Sequence, residues 1–222
     1  MSSARPAGYD RAAYERREPG YSPEAIREAA FALCRGRLGG VVLDAGSGSG
    51  GWLTKLLPHA SRAIACDLLR PAVAGAECHA VDLSKEPLPC PDSSVDLITA
   101  LELIEHLANP RHFAAECRRV LKPGGALLLS TPCNDSLTAR LSLLFRGHFP
   151  EFAEMQYRAS GHITPLTEID LRRVASEAGF SGAEFHYPLP GRIPKLSVHW
   201  QSVLPFLRGR LWTDTTFAVF VK

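Results

Sequence analysis

Residues 43–51 read LDAGSGSGG, and two glycine spacings overlap within them. Counted from Gly46, the spacing Gly-x-Gly-x-x-Gly ends at Gly51 and fits the fingerprint of dinucleotide-binding folds. Counted from Asp44, the same letters read Asp-x-Gly-x-Gly-x-Gly and end at Gly50. Both spacings place glycines where the backbone must turn tightly after a strand and approach a ligand closely. The two patterns therefore predict the same kind of fold and different ligands.

Short apolar segments alternate with amphipathic ones on both sides of this stretch. The segment just before the glycines, Val41–Ala45, is short and apolar, as are strands buried in a parallel sheet. Further strands are predicted at 63–67, 77–82, 94–103, 126–132, 183–187 and 216–222. Helices are predicted between them, notably over 110–121 and 167–178. This alternation predicts an α/β fold with a doubly wound, mostly parallel, Rossmann-like sheet and helices on both faces.

A single domain is predicted over the whole chain, since 222 residues suffice for one α/β domain and are short for two. Residues 1–40 are expected to form an N-terminal helical cap and residues 41–132 a cofactor-binding core. Residues 133–163 and 188–212 are expected to form two segments that cover the substrate. The cap helix is expected to begin at Ser22 and Pro23 and to end near Cys34. The first cover (133–163) and the second cover (188–212) interrupt the alternation after strands whose carboxyl ends face the ligand crevice.

Composition narrows the partners and the compartment. A net charge of +2 gives no support for a nucleic-acid partner. The six cysteines form no Cys-x-x-Cys pair, which favours buried, reduced thiols in a reducing compartment. The polar residues 1–21 lack the apolar core of a signal peptide, and no apolar run approaches the roughly 20 residues that span a bilayer. A cytoplasmic protein is predicted.

Three acidic residues stand at the carboxyl ends of three predicted strands. Asp44 would place negative charge where a dinucleotide pyrophosphate sits, which is unfavourable for that ligand and suits one that carries an ammonium and a sulfonium group. Asp67 ends the second strand, at a distance suited to accepting hydrogen bonds from ribose hydroxyls. Asp82 ends the third strand and is followed by the apolar Leu83, and the two can take an adenine amino group and ring face. The alternative for each aspartate alone is a helix cap or a turn.

Together these motifs resemble the class I S-adenosylmethionine-dependent methyltransferases. The similarity runs over about 41–179, through the segments Leu43–Gly50, Ala65–Asp67, Ala80–Ile98 and Arg118–Pro132. It implies S-adenosylmethionine as the cofactor and favours the spacing counted from Asp44. It also implies an antiparallel last strand, which TFAVFVK at 216–222 can supply.

The resemblance also implies where the cofactor binds. The glycines are expected to contact its methionine part, Asp67 its ribose, and Asp82 with Leu83 its adenine. The full predicted cofactor site is Asp44, Gly46, Gly48, Gly50, Asp67, Leu68, Asp82, Leu83 and Leu101.

A second group of polar residues, ELIEH, follows the fourth strand. Glu102, Glu105 and His106 stand at i, i+3 and i+4, which would place them on one face of a helical turn. Two carboxylates and an imidazole, with His162 as a fourth ligand, predict a divalent metal site that would lower the pKa of an acceptor hydroxyl. The pattern is similar to that of ubiquinone-pathway O-methyltransferases and of small-RNA 2′-O-methyltransferases. Two alternatives stay open, His106 as a general base without metal, and a purely structural turn.

Aromatic and basic residues are frequent in the covers. The segment 185–213 contains Arg192, Lys195, Arg208 and Arg210 and no acidic residue. This composition favours peripheral contact with an anionic membrane surface or an acidic acceptor, whereas aromatics that fill the core are the structural alternative. The covers also loosely resemble methyltransferases of bacterial surface-glycan synthesis.

The function predicted from these features is methyl transfer from S-adenosylmethionine to an acceptor, a hydroxyl of a small molecule or a glycan. The alternatives are a catalytically idle Rossmann-like binding protein and a nicotinamide-dependent oxidoreductase.

Overall fold

The computed structural model describes residues 22–194, 196 and 198–222, whose seven strands form one sheet. The strands are β1 Val41–Ala45, β2 Arg62–Asp67, β3 Glu77–Ala80, β4 Val95–Leu101, β5 Leu121–Pro132, β6 Gly182–His186 and β7 Thr215–Val221. Their order across the sheet is β3-β2-β1-β4-β5-β7-β6. The predicted doubly wound α/β sheet is confirmed.

Helices cover both faces of the sheet, as the alternating pattern predicts. They are α1 Glu24–Cys34, α2 Gly51–Leu56, α3 Pro110–Val120, α4 Leu137–Arg146, α5 Glu154–Ser160, α6 Glu168–Ala178 and α7 Trp200–Val203. On one face α1 and α2 bury Ile26, Ala30, Trp52 and Leu53. On the other face α3 and α6 bury apolar side chains that include Phe113, Cys117, Leu171 and Val174. The central strands are apolar in both directions because each face has its own helices.

The last strand has the direction that the resemblance implies. β7 is antiparallel to both β5 and β6, with Leu128 opposite Val219 and Phe185 opposite Ala218. β7 lies between these two strands, so β6 forms the edge of the sheet.

Several element ends differ from the predictions by a few residues. α1 begins at Glu24 with Pro23 at its N-cap, so Ser22 does not cap it. β3 ends at Ala80, before Asp82. β5 already pairs with β4 at Leu121, and an irregularity in register accommodates the Lys-Pro-Gly-Gly sequence within the strand.

The start and stop of α6 match the prediction. Both the backbone N–H and the hydroxyl of Thr167 donate to Oδ2 of Asp170, at 3.0 and 2.6 Å. Gly179 ends the helix with a φ of +84°. The predicted N-terminal cap lies partly outside the described residues, since 1–21 are not among them, and its described helix packs on a face of the sheet.

The carboxyl ends of the parallel strands β1, β2, β4 and β5 together form one edge of the sheet, which is different from the lateral edge formed by β6. Loops that follow them therefore meet there, which is where open α/β sheets bind ligands. None of the helices in the described part of the chain has the length and apolar character that crossing a bilayer requires.

Candidate active site

The loop after β1 is built by its glycines. Gly46, Gly48 and Gly50 all have positive φ, at 73°, 49° and 78°, a conformation that side chains with a Cβ rarely adopt. The backbone N–H groups of Gly46 and Ser47 both donate to the carbonyl of Cys66 at the end of β2. Gly51 has no positive φ and begins α2. The three positions that require glycine are therefore those of the spacing counted from Asp44.

Close packing at two glycines explains why no larger residue fits there. A Cβ on Gly46 would lie 2.8 Å from Cδ1 of Leu103, in the turn after β4. A Cβ on Gly50 would lie 2.3 Å from Cγ2 of Val73, in the loop after β2. The glycine loop thus sits directly against the two neighbouring loops of the same edge.

Asp67 closes the glycine loop from β2. Its side chain is buried, and its Oδ2 accepts a hydrogen bond from the backbone N–H of Gly48 at 2.9 Å. Asp67, the residue predicted to bind the ribose, therefore lies beside the glycines that are expected to contact the methionine part of the cofactor.

Asp44 lies beneath the same loop. It is buried, and its Oδ1 accepts a hydrogen bond from the hydroxyl of Thr99 on β4 at 2.8 Å. Burial raises the pKa of Asp44 from 3.8 to about 7, the bond from Thr99 opposes the rise, and the nearby Asp67 charge adds to it. A cationic ligand above this carboxyl would favour its ionised form.

The third predicted carboxylate has local partners. Oδ1 of Asp82 accepts a hydrogen bond from the backbone N–H of Ser84 at 3.1 Å, and Nζ of Lys85 lies 2.9 Å from its Oδ2. Leu83 is buried in the core cluster under α3 and α6. Leu68 is half-buried and Leu101 is buried on the opposite face of the sheet. The arrangement around Asp82 is that of a turn residue, and adenine contact from this segment stays a prediction.

The ELIEH segment is not the continuous helical turn that its spacing predicts. Glu102 has a φ of +50°, so the chain leaves β4 in a left-handed conformation, and only Ile104–His106 forms a 3₁₀ turn. The backbone N–H of Glu102 donates to Ser130 on β5, and the Ser130 hydroxyl donates to Oε1 of Glu102 at 2.7 Å. A non-glycine residue in this conformation is strained and is held by such bonds.

Three of the four predicted metal ligands lie together. Glu105, His106 and His162 each offer one ligand atom, and these atoms lie within 4.8 Å of one another. Glu102 is not part of this group. The two imidazole rings meet edge to face with centroids 4.7 Å apart.

Backbone carbonyls orient both histidines. Nδ1 of His106 lies 3.1 Å from the carbonyl of Gly161, and Nδ1 of His162 lies 2.7 Å from the carbonyl of Glu151. Because a carbonyl oxygen only accepts hydrogen bonds, Nδ1 donates in each contact, and in a neutral imidazole Nε2 then carries the lone pair. This is the tautomer that histidine ligands of metal ions commonly adopt.

Glu105 is buried with an incomplete set of hydrogen bonds. Oε2 accepts from the hydroxyl of Thr131 at 3.0 Å, whereas the buried Oε1 has no hydrogen-bond partner among the described residues. Burial, and then the charge of Glu102, hold the pKa of Glu105 well above its usual range. Burial likewise raises the pKa of Glu102 to about 7. Either a proton or a cation would satisfy the unpaired oxygen.

Comparison with known proteins agrees with this architecture. Residues 14–184 match the family model described as a methyltransferase domain. The chain belongs to this methyltransferase family. The predicted family is thereby confirmed, and with it the S-adenosylmethionine-dependent class.

Individual relatives of this methyltransferase domain are similar over parts of their length. A probable S-adenosylmethionine-dependent methyltransferase of Mycolicibacterium smegmatis is 39% identical over 114 residues, which cover 49% of this chain and 43% of that protein. A ubiquinone biosynthesis O-methyltransferase of Idiomarina loihiensis is 28% identical over 106 residues, covering 43% of this chain and 44% of the relative. The matched region thus spans less than half the length of these relatives.

A solved structure shows the same fold. It is the S-adenosylmethionine-dependent, possible histamine N-methyltransferase of Thermotoga maritima, with a TM-score of 0.64 and 18% identity. The match covers 90% of this chain and 88% of that one.

The first cover of the methyltransferase places an aromatic side chain next to the histidine pair, His106 and His162. The 3₁₀ turn Pro150–Phe152 supplies the carbonyl of Glu151 to His162, and the Phe152 ring lies 5.5 Å from the His162 ring between centroids. Phe149 packs on Phe152 in turn. An aromatic wall therefore adjoins the site on this side.

The second cover packs against the first. Nε1 of Trp200 donates to the hydroxyl of Thr138 on α4 at 3.3 Å, and Thr138 donates to the carbonyl of Arg192 at 2.7 Å. Arg192 also pairs with Asp214, and Arg210 with Glu168. Lys195, predicted as part of this basic segment, lies outside the described residues.

Some residues that shape the site were not predicted from the sequence. Ser130 and Thr131 hold Glu102 and Glu105, and Thr99 holds Asp44. The polar pair Ser130-Thr131 at the end of the apolar sequence ALLL was an available signal, since polar residues at a strand end face the ligand crevice. Glu151 acts on His162 through its backbone and leaves no such signal.

Proposed function

We propose that this protein transfers a methyl group from S-adenosylmethionine to a hydroxyl of a small molecule or a glycan. The observation that carries the proposal is the meeting of two sites at one edge of the sheet. The glycine loop with Asp44 and Asp67 would hold the cofactor, and the group Glu105, His106 and His162 would receive the acceptor. The O-methyltransferase name of the ubiquinone-pathway relative supports oxygen as the methylated atom.

In the proposed reaction the acceptor oxygen attacks the sulfonium methyl. A bond forms between oxygen and the methyl carbon, the carbon–sulfur bond breaks with its electron pair going to sulfur, and S-adenosylhomocysteine is released. The hydroxyl proton must leave, because a neutral alcohol is a poor nucleophile. We assign the removal of that proton to Nε2 of His106, whose ring is oriented by the contact of Nδ1 with the carbonyl of Gly161.

The same group also fits a divalent cation. A carboxylate oxygen and two imidazole nitrogens form a common donor set for zinc and for other borderline metals. Such an ion would satisfy the buried Oε1 of Glu105, which has no hydrogen-bond partner among the described residues. A bound divalent ion would lower the pKa of a coordinated hydroxyl. In that case Glu105, His106 and His162 would hold it, and Glu102 would stay bound to Ser130.

Turnover decides between catalysis and the alternative of an idle binding protein. The protein is incubated with labelled S-adenosylmethionine and an acceptor panel of phenols, sugars and amines, and products are identified by mass spectrometry. We expect label on oxygen, and loss of label with His106→Ala. Label on nitrogen would contradict the choice of acceptor. Absence of any turnover, together with tight S-adenosylhomocysteine binding, would favour the binding protein.

Calorimetry with NAD and S-adenosylhomocysteine addresses the remaining alternative, a nicotinamide-dependent oxidoreductase. We expect heat of binding with S-adenosylhomocysteine and none with NAD.

A cytoplasmic location of the protein stays a prediction.

A further inference from the structure

Large exposed apolar side chains are concentrated in the two covers. Phe145 is 77% exposed and Phe206 75%, and Leu144 on α4 is 73% exposed. The others in the covers are Leu143, Met155, Tyr157, Leu196, Val198, Val203, Leu204 and Leu211. Within the described part of the chain, Ile169 is the one large apolar residue of this exposure that lies elsewhere. Such concentration indicates a contact surface, since scattered apolar residues would need no explanation.

The covers also carry the positive charge of the molecule. They contain seven of the 25 Lys and Arg residues and three of the 23 Asp and Glu residues. The rest of the chain is therefore slightly negative. The three acids of the first cover each lie near an arginine, in the pairs Asp135–Arg140, Glu151–Arg192 and Glu154–Arg158.

Two arginines of the covers adjoin exposed apolar clusters, one formed by 143–145 on α4 and one by the segment around Phe206 in the second cover. Arg146 follows Leu143, Leu144 and Phe145 on α4, and Arg208 follows the segment that contains Phe206. Both arginines are exposed, and neither forms an ion pair with any residue that the structure describes. Apolar side chains flanked by unpaired cations match the composition of interfacial membrane-binding surfaces.

The two clusters belong to segments in direct contact. Thr138 on α4 bonds to the second cover through Arg192 and Trp200. Phe145 follows Thr138 by seven residues, which is two helical turns, so it lies on the same side of α4. The exposed end of α4 therefore extends along the side that faces the second cover.

We propose that the two covers form a docking surface for an anionic phospholipid bilayer. The apolar side chains would enter the boundary between headgroups and acyl chains, and Arg146 and Arg208 would meet lipid phosphates. A second copy of the chain fits less well, because a symmetric contact would bring the same arginines close to their own copies. The inference does not depend on the identity of the acceptor.

Co-sedimentation of the full chain with vesicles tests the apolar contribution. Vesicles of phosphatidylcholine with phosphatidylglycerol are expected to sediment the wild type at low salt, and vesicles of phosphatidylcholine alone much less. Leu144→Ser with Phe145→Ser should lower the partition coefficient by about tenfold, since each buried methylene contributes measurably to interfacial binding. The matched control is Ile169→Ser, which removes a 56% exposed apolar side chain outside the covers and should leave binding unchanged.

Charge reversal tests the electrostatic contribution. Arg146→Glu with Arg208→Glu should reduce binding about tenfold or more, because each basic residue near an anionic surface contributes about fivefold. As a control, Arg35→Glu with Arg37→Glu removes two exposed cations that lie just before β1, at the edge of the sheet where the parallel strands begin. This variant should bind vesicles nearly as well as the wild type. Higher salt should release the wild type.

Three results would overturn the proposal. They are a wild type that ignores anionic vesicles at low salt, equal loss of binding in cover and control variants, and a dimer in ultracentrifugation that Leu144→Ser with Phe145→Ser dissociates while vesicle binding is absent. S-adenosylhomocysteine binding is measured on every variant, so failure to fold is recognised. Vesicle binding is measured without turnover, so failure of the proposed methyl transfer does not affect this test.

Discussion

Nδ1 of His162 donates a hydrogen bond to the backbone carbonyl of Glu151 at 2.7 Å. The carboxylate of the same Glu151 lies 3.7 Å from Nη2 of Arg192 in the second cover. One residue thus connects the histidine pair with both covers. Movement of the covers would therefore change the orientation of an imidazole in the candidate active site.

Replacement of Asp67 by alanine should weaken S-adenosylhomocysteine binding by at least about tenfold. The carboxylate is expected to accept charge-assisted bonds from ribose, worth about 1.5–3 kcal/mol each, and it also holds Gly48. Isothermal titration calorimetry measures the affinity, and thermal unfolding checks the fold. The control is Asp82→Ala, for which we expect a smaller loss because that carboxylate serves a turn. Equal affinities of the wild type and a folded Asp67→Ala variant would rule out the assignment.

Glu105→Gln should abolish binding of a divalent ion at the histidine pair. The substitution keeps the size of the side chain and removes the charge that a cation requires. Metal content after dialysis against zinc, measured by mass spectrometry, gives the readout. Glu102→Gln should retain the ion, since Glu102 lies outside the three-residue group. Turnover that survives exhaustive chelation would leave His106 as a base without metal.

The buried carboxyl of Asp44 should make the unliganded protein less stable as pH rises. Its pKa is raised from 3.8 to about 7, so between these values the folded state binds more protons than the unfolded state. The free energy of unfolding therefore falls with increasing pH in that window, by a few kcal/mol at most for this group. Urea unfolding at pH 5 and pH 8 measures the difference. Asp44→Asn should reduce it, and an unchanged difference would show that Asp44 is ionised throughout.

S-adenosylmethionine should bind more tightly to the wild type at pH 8 than at pH 6. Its ammonium and sulfonium groups favour the ionised form of Asp44, which predominates above about pH 7. Titration calorimetry at the two pH values measures the change. Asp44→Asn should bind with an affinity that is nearly independent of pH.

Gly50→Ala should destabilise the fold more than Gly179→Ala does. Both glycines have positive φ, which costs an alanine about 1–2 kcal/mol. A Cβ at Gly50 would also collide with Val73, whereas no atom of the described residues lies within 4 Å of a Cβ at Gly179. Overpacking adds about 1–3 kcal/mol. Urea unfolding compares the two variants, and Val73→Ala should partly rescue Gly50→Ala. Equal losses would contradict the predicted collision.

The sheet was predictable because its central strands are buried on both faces. An apolar run such as Val41–Ala45, followed by glycines that need positive φ, has few other conformations compatible with burial. Strand ends were less predictable where tertiary pairing decides them. β5 begins at Leu121 because Val95 pairs with it, although Pro123 and the glycines that follow suggest a loop.

The candidate site was predictable in its residue types and only partly in its geometry. The spacing of Glu102, Glu105 and His106 predicts one helical face, whereas Glu102 adopts a left-handed conformation under the control of Ser130 on a distant strand. Contacts of this kind join residues 28 positions apart, so local periodicity carries no information about them. The proximity of His162 likewise depends on how the first cover folds back.

β7 lies between β5 and β6 although it is synthesised after both. During translation the outer edge of β5 and the whole of β6 leave the ribosome before the strand that pairs with them, Thr215–Val221. Exposed strand edges are sites of mispairing and aggregation in nascent chains. The interval in which these strand edges are exposed to mispairing therefore ends when residues 215–221 emerge and pair between β5 and β6.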